Sequence, residues 1–382
     1  MRSSQLVAAS TEHTASANRA YYPALDGLRG FAFLGVFLHH YMAFLYGWAG
    51  VDIFFVLSGF LITGILYDTR DDPHRARNFY IRRTLRIFPL YYGVLLIIFL
   101  LTPIAHWAWT WQWIAWPLYL GNFLRFLYPH LDNDFIRHFA NAALVSRAWP
   151  HVELRLGHFW TLCVEEQFYL IWPWIVFTIR DRRKLIVICV TCIVLVPFAR
   201  AFAVTHMPAA LVTGEVVFHA TPFRFDTLMF GALVALIYRG AHRDLMQRVA
   251  QYILPIAVLC AFSVAIHRLR FHSYTYPAAL STWVLTLIAI FSAALLLRTL
   301  IPGTVPYRLF NLRWLRALGT ISYGAYVFHD IAHGLVAGFT NQEYGLRLAA
   351  WAFGLTMVLA IASYRYYESP ILRLKDRFTR TA

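Results

Sequence analysis

The chain has 382 residues, of which 59% are hydrophobic and only 14% are charged, and its mean hydropathy is +0.54. Soluble domains are about one quarter charged, so this composition excludes a soluble globular domain and indicates a polytopic membrane protein. The net charge is +15, but the 34 Lys and Arg residues punctuate apolar runs and form no single basic stripe. This pattern excludes a nucleic-acid partner and makes the lipid bilayer the expected one.

The apolar pattern predicts an all-α fold with about ten transmembrane helices. Residues 1–20 are polar and lack the apolar core of a cleavable signal peptide, so we expect a flexible cytoplasmic tail. Residues 21–370 are expected to form one membrane domain, followed by a basic cytoplasmic tail at 371–382. The predicted spans are about 28–46, 50–67, 88–104, 158–179, 184–203, 222–238, 250–266, 277–297, 318–338 and 346–366.

The orientation follows from the distribution of Lys and Arg between the connecting segments. With the N-terminus in the cytoplasm, cytoplasmic segments hold 25 of these residues and external segments hold seven. Because positive charge collects on the cytoplasmic side, both termini are predicted to lie inside. The topology prediction depends most on the aromatic segment 105–157, because an eleventh span there would invert the orientation of every later helix. We interpret it as an interfacial or re-entrant segment on the outer side.

The first span carries ionisable residues that lipid does not tolerate well. Arg29 and His40 are eleven residues apart in LDGLRGFAFLGVFLHHYM, which places them on one helix face about 16 Å apart along the axis. In the alternative interpretation, the Arg29 side chain extends to the lipid headgroups, and the two histidines are hydrogen-bonded within the protein core. Ionisable groups at this depth usually face a cavity that uses them, and this is the interpretation we favour.

Further polar residues follow in the second and third spans. Asp52 begins the second span near the outer surface, and Ser58 is small enough to admit another helix or a ligand chain. Arg82, Arg83 and Arg86 lie within five residues at the cytoplasmic mouth of the third span. A plain positive-inside anchor needs only charge, whereas clustered guanidinium groups also suit phosphate binding.

Later spans add paired acids and two ion-pair candidates. Glu165 and Glu166 are adjacent in an apolar stretch, so at least one should be paired or protonated, with Arg224 or His40 as natural partners. Arg224 and Asp226 are expected to pair with each other, and His329 and Asp330 lie around mid-depth with either a structural or a functional role. We expect the four cysteines to be small buried apolar residues. No set of residues in the sequence has the spacing that indicates a metal site.

Six motifs in order resemble the bacterial membrane-bound acyltransferase family 3, and the match runs nearly from end to end. They are the Arg29–His40 spacing, GVDIFFVLSGFLIT, FYIRRTLRIFPLY, WTLCVEEQFYL, FRFDTLMFG and LGTISYGAYVFH, bounded by LDGLRG and YRYYESP. Two departures are Cys163, where the family usually has Ser, and a longer N-terminal tail. The sequence shows no esterase-like C-terminal domain of the sort some members carry, so we expect a stand-alone member.

The resemblance implies an O-acyltransferase of the bacterial cytoplasmic membrane. Its donor would be cytoplasmic acyl-CoA, most often acetyl-CoA, and its acceptor would be a hydroxyl of a carbohydrate or glycolipid, often presented on the other side of the membrane. Arg82, Arg83 and Arg86 would hold the phosphates of CoA. His40 would be the general base or acyl carrier, Arg29 would stabilise negative charge, and Glu165 or Glu166 would orient His40 or the acceptor.

A transporter or flippase that uses the buried charges as an ion or substrate path is the main alternative. Against it, the sequence shows no internal repeat and no matching pair of Gly/Pro-broken spans. A structural membrane subunit would not need so many ionisable residues in its spans.

Overall fold

The computed structural model describes residues 21–42, 44, 46–105, 111–124, 143–145, 153–207, 216–271, 278–340 and 345–379. The predicted tail at 1–20 and the last three residues lie outside this part. The longer helices are α1 Pro23–Met42, α2 Gly50–Asp68, α3 Arg75–Ala105, α4 Trp160–Thr178, α5 Arg182–His206, α7 Phe225–Tyr238, α8 Arg243–Phe271, α9 Ala278–Thr299, α12 Ser322–Thr340 and α13 Leu346–Ser363. Shorter helices are α6 Val216–His219, α10 Val305–Phe310, α11 Arg313–Thr320, α14 Ser369–Arg373 and α15 Lys375–Phe378.

Each of the ten predicted spans coincides with one of the ten longer helices in the described part of the chain. Four segments are long and apolar enough to cross a membrane by themselves: Gly47–Asp68, Arg75–Ile104, Arg182–His206 and Leu346–Arg373. The helical membrane character is therefore confirmed, whereas the number of spans and the cytoplasmic termini stay predictions. The one sheet found among the described residues is a short antiparallel pair, β1 Ala143–Val145 with β2 Glu153–Arg155.

Segment 105–157 contains only short elements where it is described. These are 3₁₀ turns at Trp111–Ala115 and Gly121–Phe123 and the β1–β2 pair. Trp116 between the two turns is 1% exposed, so this stretch packs into the protein instead of crossing lipid as an isolated helix. Much of the segment lies outside the described residues, so the interfacial or re-entrant arrangement stays a prediction.

Helix α2 lies at the centre of the bundle. Its most apolar window is 78% buried, whereas the other three spanning segments are 22–28% buried and carry large exposed apolar side chains such as Leu100, Leu195 and Val358. Such a continuous apolar exterior suits contact with lipid chains and would be a liability in water.

Glycines set the closest helix crossings. A methyl group on Gly59 of α2 would lie 2.0 Å from the carbonyl oxygen of Leu228, and one on Gly231 of α7 would lie 2.0 Å from that of Val56. The backbones of α2 and α7 therefore approach as only small residues allow. This crossing fixes α2 and presents its opposite face, with Ser58, to the site described next.

Candidate active site

One cavity of about 490 Å³ lies between α1, α2, α3, α4, α12 and the C-terminal helices. One end is lined by Thr69 and Asp72 of the α2–α3 connection and by Lys375 of α15, and the other end reaches Thr161 and Tyr326. Its volume falls within the range of small-molecule sites. With the orientation predicted from Lys and Arg, the Lys375 end faces the cytoplasm.

The lining is strongly cationic. Six basic side chains line the cavity, against two acidic ones, Asp72 and Glu165. The basic residues are Arg29, Arg75, Arg82, Arg83, Arg86 and Lys375. Like charges gathered in a confined space repel each other, so this lining favours an anionic occupant.

Three of the five lining arginines, Arg75, Arg82 and Arg86, lack a carboxylate partner within the described residues. Within the described residues, Arg82 and Arg86 form no ion pair, and the Nε of Arg82 is buried without a hydrogen-bond partner. Both come from one helix, at i and i+4 of α3, which places their side chains on the same face. An anion in the cavity would supply the missing partners.

Arg29 is held differently. Its Nη1 donates to Asp26 Oδ1 at 2.9 Å, and Tyr21 Oη donates to the other oxygen of Asp26 at 2.6 Å. The hydrogen bond to this carboxylate raises the pKa of Tyr21 above its ordinary value. The Asp26 carboxylate thus orients Arg29 into the cavity.

Arg83 occupies the middle of the cavity. Its guanidinium carbon lies 3.7 Å from the centre of the Tyr169 ring, and its Nε lies 4.0 Å from Glu166 Oε1. Ser58 and Tyr169 share a short hydrogen bond, and both hydroxyls and Arg83 are electrostatic neighbours of Glu165. The partner expected for the two glutamates, Arg224 or His40, was therefore wrong, since Arg83 takes that place.

The end of the cavity opposite Lys375 is formed by two hydroxyl groups. Thr161 Oγ1 donates to Tyr326 Oη at 2.8 Å, and Tyr326 Oη donates to the backbone oxygen of His158 at 3.0 Å. Cys163, two residues further along α4, is fully buried and does not line the cavity. The departure from the family's serine at this position therefore removes no hydroxyl from the cavity wall.

A cluster of histidines lies directly behind Tyr326. The ring of His329 is 5.2 Å from the Tyr326 ring, 4.7 Å from the His158 ring and 5.3 Å from the His40 ring. Asp330 Oδ2 lies 3.3 Å from Nδ1 of His158. His40 and His329 thus do not line the cavity with Arg29, although they lie one layer of side chains beyond it.

The predicted pairing of Arg224 with Asp226 was wrong. Arg224 Nη2 donates to Asp52 Oδ1 at 2.7 Å, and Asp226 accepts two bonds from Arg200 at 3.0 and 2.8 Å. All four side chains are fully buried. Residues 224 and 226 are two apart, at the start of α7, so they point to different sides of the helix and meet different neighbours.

Of the twelve residues singled out from the sequence, six line the cavity: Arg29, Ser58, Arg82, Arg83, Arg86 and Glu165. Glu166 contacts Arg83, His40 and His329 form the layer behind, and Asp52, Arg224 and Asp226 lie in ion pairs away from the cavity. The sequence analysis missed Arg75, Thr161, Tyr169, Tyr326 and Lys375 at the cavity, and His158 behind it. His158 stands just before the WTLCVEEQFYL motif, which was the available signal.

Within the described residues, no group of three or more His, Cys, Asp and Glu side chains is arranged to hold a metal ion. The chemistry that these residues can perform themselves is acid–base chemistry around a cationic cavity. The cavity has a cationic lining and ends in hydroxyl and carboxyl groups, with imidazole groups one layer of side chains behind them. This arrangement inside a membrane domain is typical of a group-transfer or transport protein.

Comparison with known proteins narrows this class. A family profile described as an acyltransferase domain matches residues 22–365, and the chain belongs to this membrane acyltransferase family. The resemblance predicted from the six motifs is thereby confirmed. No solved structure matches the chain.

Three relatives illustrate the family. The chain is 25% identical to the peptidoglycan O-acetyltransferase OatA of Listeria monocytogenes, with 94% of this chain and 57% of that protein covered. It is 28% identical to the putative peptidoglycan O-acetyltransferase YrhL of Bacillus subtilis (92% and 55% covered) and 26% identical to a putative O-acetyltransferase of Staphylococcus aureus (92% and 57% covered). The chain therefore spans about half the length of these relatives.

Proposed function

We propose that this protein is a membrane-bound O-acyltransferase that moves an acyl group, most simply acetyl, from acyl-CoA to a hydroxyl of a carbohydrate such as peptidoglycan. The observation that carries the proposal is the cavity in which Arg82 and Arg86 lack counter-ions while the far end holds Glu165, Thr161 and Tyr326. The names of the relatives support acetyl as the group and a cell-wall glycan as the acceptor.

The donor is proposed to enter from the cytoplasmic end. CoA carries its phosphates at one end and its thioester at the other, joined by a narrow arm. Arg75, Arg82, Arg86 and Lys375 would hold the phosphates with charge-assisted hydrogen bonds. The apolar side chains of α2 that line the middle, such as Leu61 and Ile62, would pack against the arm. The thioester would then reach the end formed by Thr161 and Tyr326.

The transfer step needs a base and a stabiliser of negative charge. The acceptor hydroxyl attacks the thioester carbonyl, its proton passes to an imidazole, and the carbon–sulfur bond breaks. The proton then protonates the departing sulfur of CoA. His40 or His329 is the proposed base, Glu165 would orient the acceptor, and Arg29 and Arg83 would stabilise developing negative charge.

The two substrates are proposed to approach from opposite sides of the membrane. The arginine-lined end of the cavity lies on the predicted cytoplasmic side, whereas His40 lies near the opposite end of α1. A hydroxyl that arrives from outside would meet the histidines first. The layer from Tyr326 to His40 would then be the place where donor and acceptor meet.

The donor site is tested by incubating purified protein with radiolabelled acetyl-CoA and measuring CoA release with and without a glycan acceptor. Arg82→Gln should raise the KM for acetyl-CoA by roughly 10- to 100-fold, because a hydrogen bond to a charged group contributes about 1.5–3 kcal/mol. The matched control is Arg77→Gln, which removes an exposed arginine of the same helix that does not line the cavity. Its KM should stay within about twofold of wild type.

Absence of CoA release from any short acyl-CoA, together with uptake or export of a solute by protein in vesicles, would contradict the proposal and favour the transporter alternative. Equal KM values for Arg82→Gln and Arg77→Gln would contradict the assignment of the phosphate site. His40→Ala should abolish transfer while leaving the binding of acetyl-CoA intact, and retained label on the wild-type protein would indicate a covalent acyl intermediate.

A further inference from the structure

The histidine cluster behind Tyr326 contains a carboxylate to which the sequence motifs assign no role. Asp330 is 7% exposed and lies on α12 between His329 and His333. Its Oδ2 is 3.3 Å from Nδ1 of His158, and its Oδ1 is 4.0 Å from Nδ1 of His333. The pair of His158 and Asp330 thus joins α12 to the turn that precedes α4.

The contacts of the two ring nitrogens indicate where His158 carries its protons. Nε2 of His158 lies 3.2 Å from the backbone oxygen of Val327, which can only accept, so Nε2 carries a hydrogen. Nδ1 of His158 is buried without an aligned hydrogen bond, and its nearest acidic neighbour is Oδ2 of Asp330 at 3.3 Å. This ion pair is favourable only when the His158 ring also carries a proton on Nδ1, so the contact favours one additional proton held by the pair of His158 and Asp330.

His329 has the opposite arrangement. Its Nδ1 lies 2.6 Å from the backbone oxygen of Tyr326, so the hydrogen of the neutral ring is on Nδ1. Nε2 of His329 therefore presents a lone pair, and among the described residues it is buried without a hydrogen-bond partner. A proton-holding pair and a free base thus lie side by side, with ring centres 4.7 Å apart.

We propose that Asp330 is a positioning residue of the transfer reaction. With His158 it holds a proton beside His329 and keeps the His329–His40 pair ready to take the proton of the acceptor hydroxyl. This inference rests on the proposed acyl transfer. The proton is conserved through the reaction. It leaves the acceptor oxygen, is held by the histidine pair and is transferred to the sulfur of CoA, so no further reactant is needed.

The charged and titratable groups around Asp330 come from three elements. The turn before α4 contributes His158, and α12 contributes Tyr326, His329 and His333. Helix α1 contributes His39, His40 and Tyr41, of which Tyr41 donates to the backbone oxygen of His329 at 2.5 Å and stacks edge-on against His333. Asp330 is the carboxylate that contacts these histidines within the described part of the chain.

The first test is the kinetics of Asp330→Asn, an isosteric change that removes the charge. We expect kcat to fall about 100-fold, within the range of general acid–base effects, while the KM for acetyl-CoA stays within about twofold. The acidic limb of the pH–rate profile should move to lower pH, because loss of the carboxylate makes protonation of the neighbouring histidines less favourable. Asp330→Glu should restore part of the rate. An unchanged kcat and pH profile in a folded Asp330→Asn protein would overturn the proposal.

The second test does not depend on activity. Nitrogen-15 spectra of histidine-labelled protein should contain one imidazole with both ring nitrogens protonated near neutral pH, which disappears in His158→Gln and persists in His39→Gln. His39 is the matched control because it neighbours His40 but bonds to the backbone oxygen of Phe44. Absence of this signal from wild type would overturn the shared proton. Wild-type protein that shows the signal but transfers no acyl group would contradict the proposed function instead.

Discussion

At the scale of single residues, buried ion pairs separate the structural arginines from those that line the cavity. Arg200 and Arg224 are 0% exposed and have carboxylate partners at 2.8 and 2.7 Å, whereas Arg82 and Arg86 have none among the described residues. A lone charge inside a membrane protein is costly, so a fully buried arginine with a carboxylate partner is already satisfied, whereas an unpaired arginine in a cavity indicates a ligand. The sequence could not make this distinction, because Arg200 and Asp226 are 26 residues apart.

Replacement of Arg200 should destabilise the fold strongly. Arg200→Met leaves Asp226 buried without its partner, and removal of one member of a buried pair costs about 3–5 kcal/mol. The double change Arg200→Met with Asp226→Leu should recover much of this loss. The measurement is the free energy of unfolding in detergent micelles, with Arg183→Gln, an exposed arginine of the same helix, as the control expected within about 0.5 kcal/mol. Equal stability of Arg200→Met and wild type would contradict this assignment.

At the scale of elements, the approximate positions of the helices were predictable, and helix neighbours were not. Spans were expected at about 50–67 and 222–238, and the helices run over Gly50–Asp68 and Phe225–Tyr238. That these two helices cross at Gly59 and Gly231 is a property of the assembled bundle. Glycine in an apolar run indicates a close approach but does not identify the helix that approaches.

The crossing of α2 and α7 predicts a position-specific effect of an added methyl group. Gly59→Ala should destabilise the protein by about 1–3 kcal/mol, because the new Cβ would lie 2.0 Å from the backbone oxygen of Leu228 and the helices must separate. Gly354→Ala is the matched control, since nothing lies within 4 Å of its added Cβ, and it should be neutral or stabilising. The two variants are compared by thermal unfolding in the same detergent. Similar melting temperatures would show that the crossing tolerates the methyl group.

At the scale of the whole molecule, the orientation of the membrane domain decides from which side of the membrane a donor could enter the cavity. Seven Lys and Arg residues were assigned to external segments, but one of them, Arg200, is fully buried within α5, which leaves six. The segments assigned to the cytoplasm still hold most of the Lys and Arg residues. This distribution predicts that the end of the cavity that contains Lys375 faces the cytoplasm.

Labelling of introduced cysteines tests this sidedness directly. In protein without its four native cysteines, a membrane-impermeant thiol reagent added to intact cells should label Phe339→Cys and not Val305→Cys. Both side chains are more than three quarters exposed, at 77% and 78%, so access to the reagent differs only by the side of the membrane. Permeabilised cells should show labelling of both. The opposite pattern in intact cells would invert the topology and the proposed direction of acyl transfer.

The sequence by itself determined the class of the protein, the positions of its helices and six of the residues that line the cavity. Apolar run length and charge depletion act locally along the chain, and the arginines of α3 lie close enough in sequence to share one helix face. Tertiary structure alone decided which charges pair, that Arg83 meets Glu166, and that His158 meets Asp330 across 172 residues. Such contacts depend on how helices pack, and similar apolar faces leave many packings open until small residues and buried charges select one.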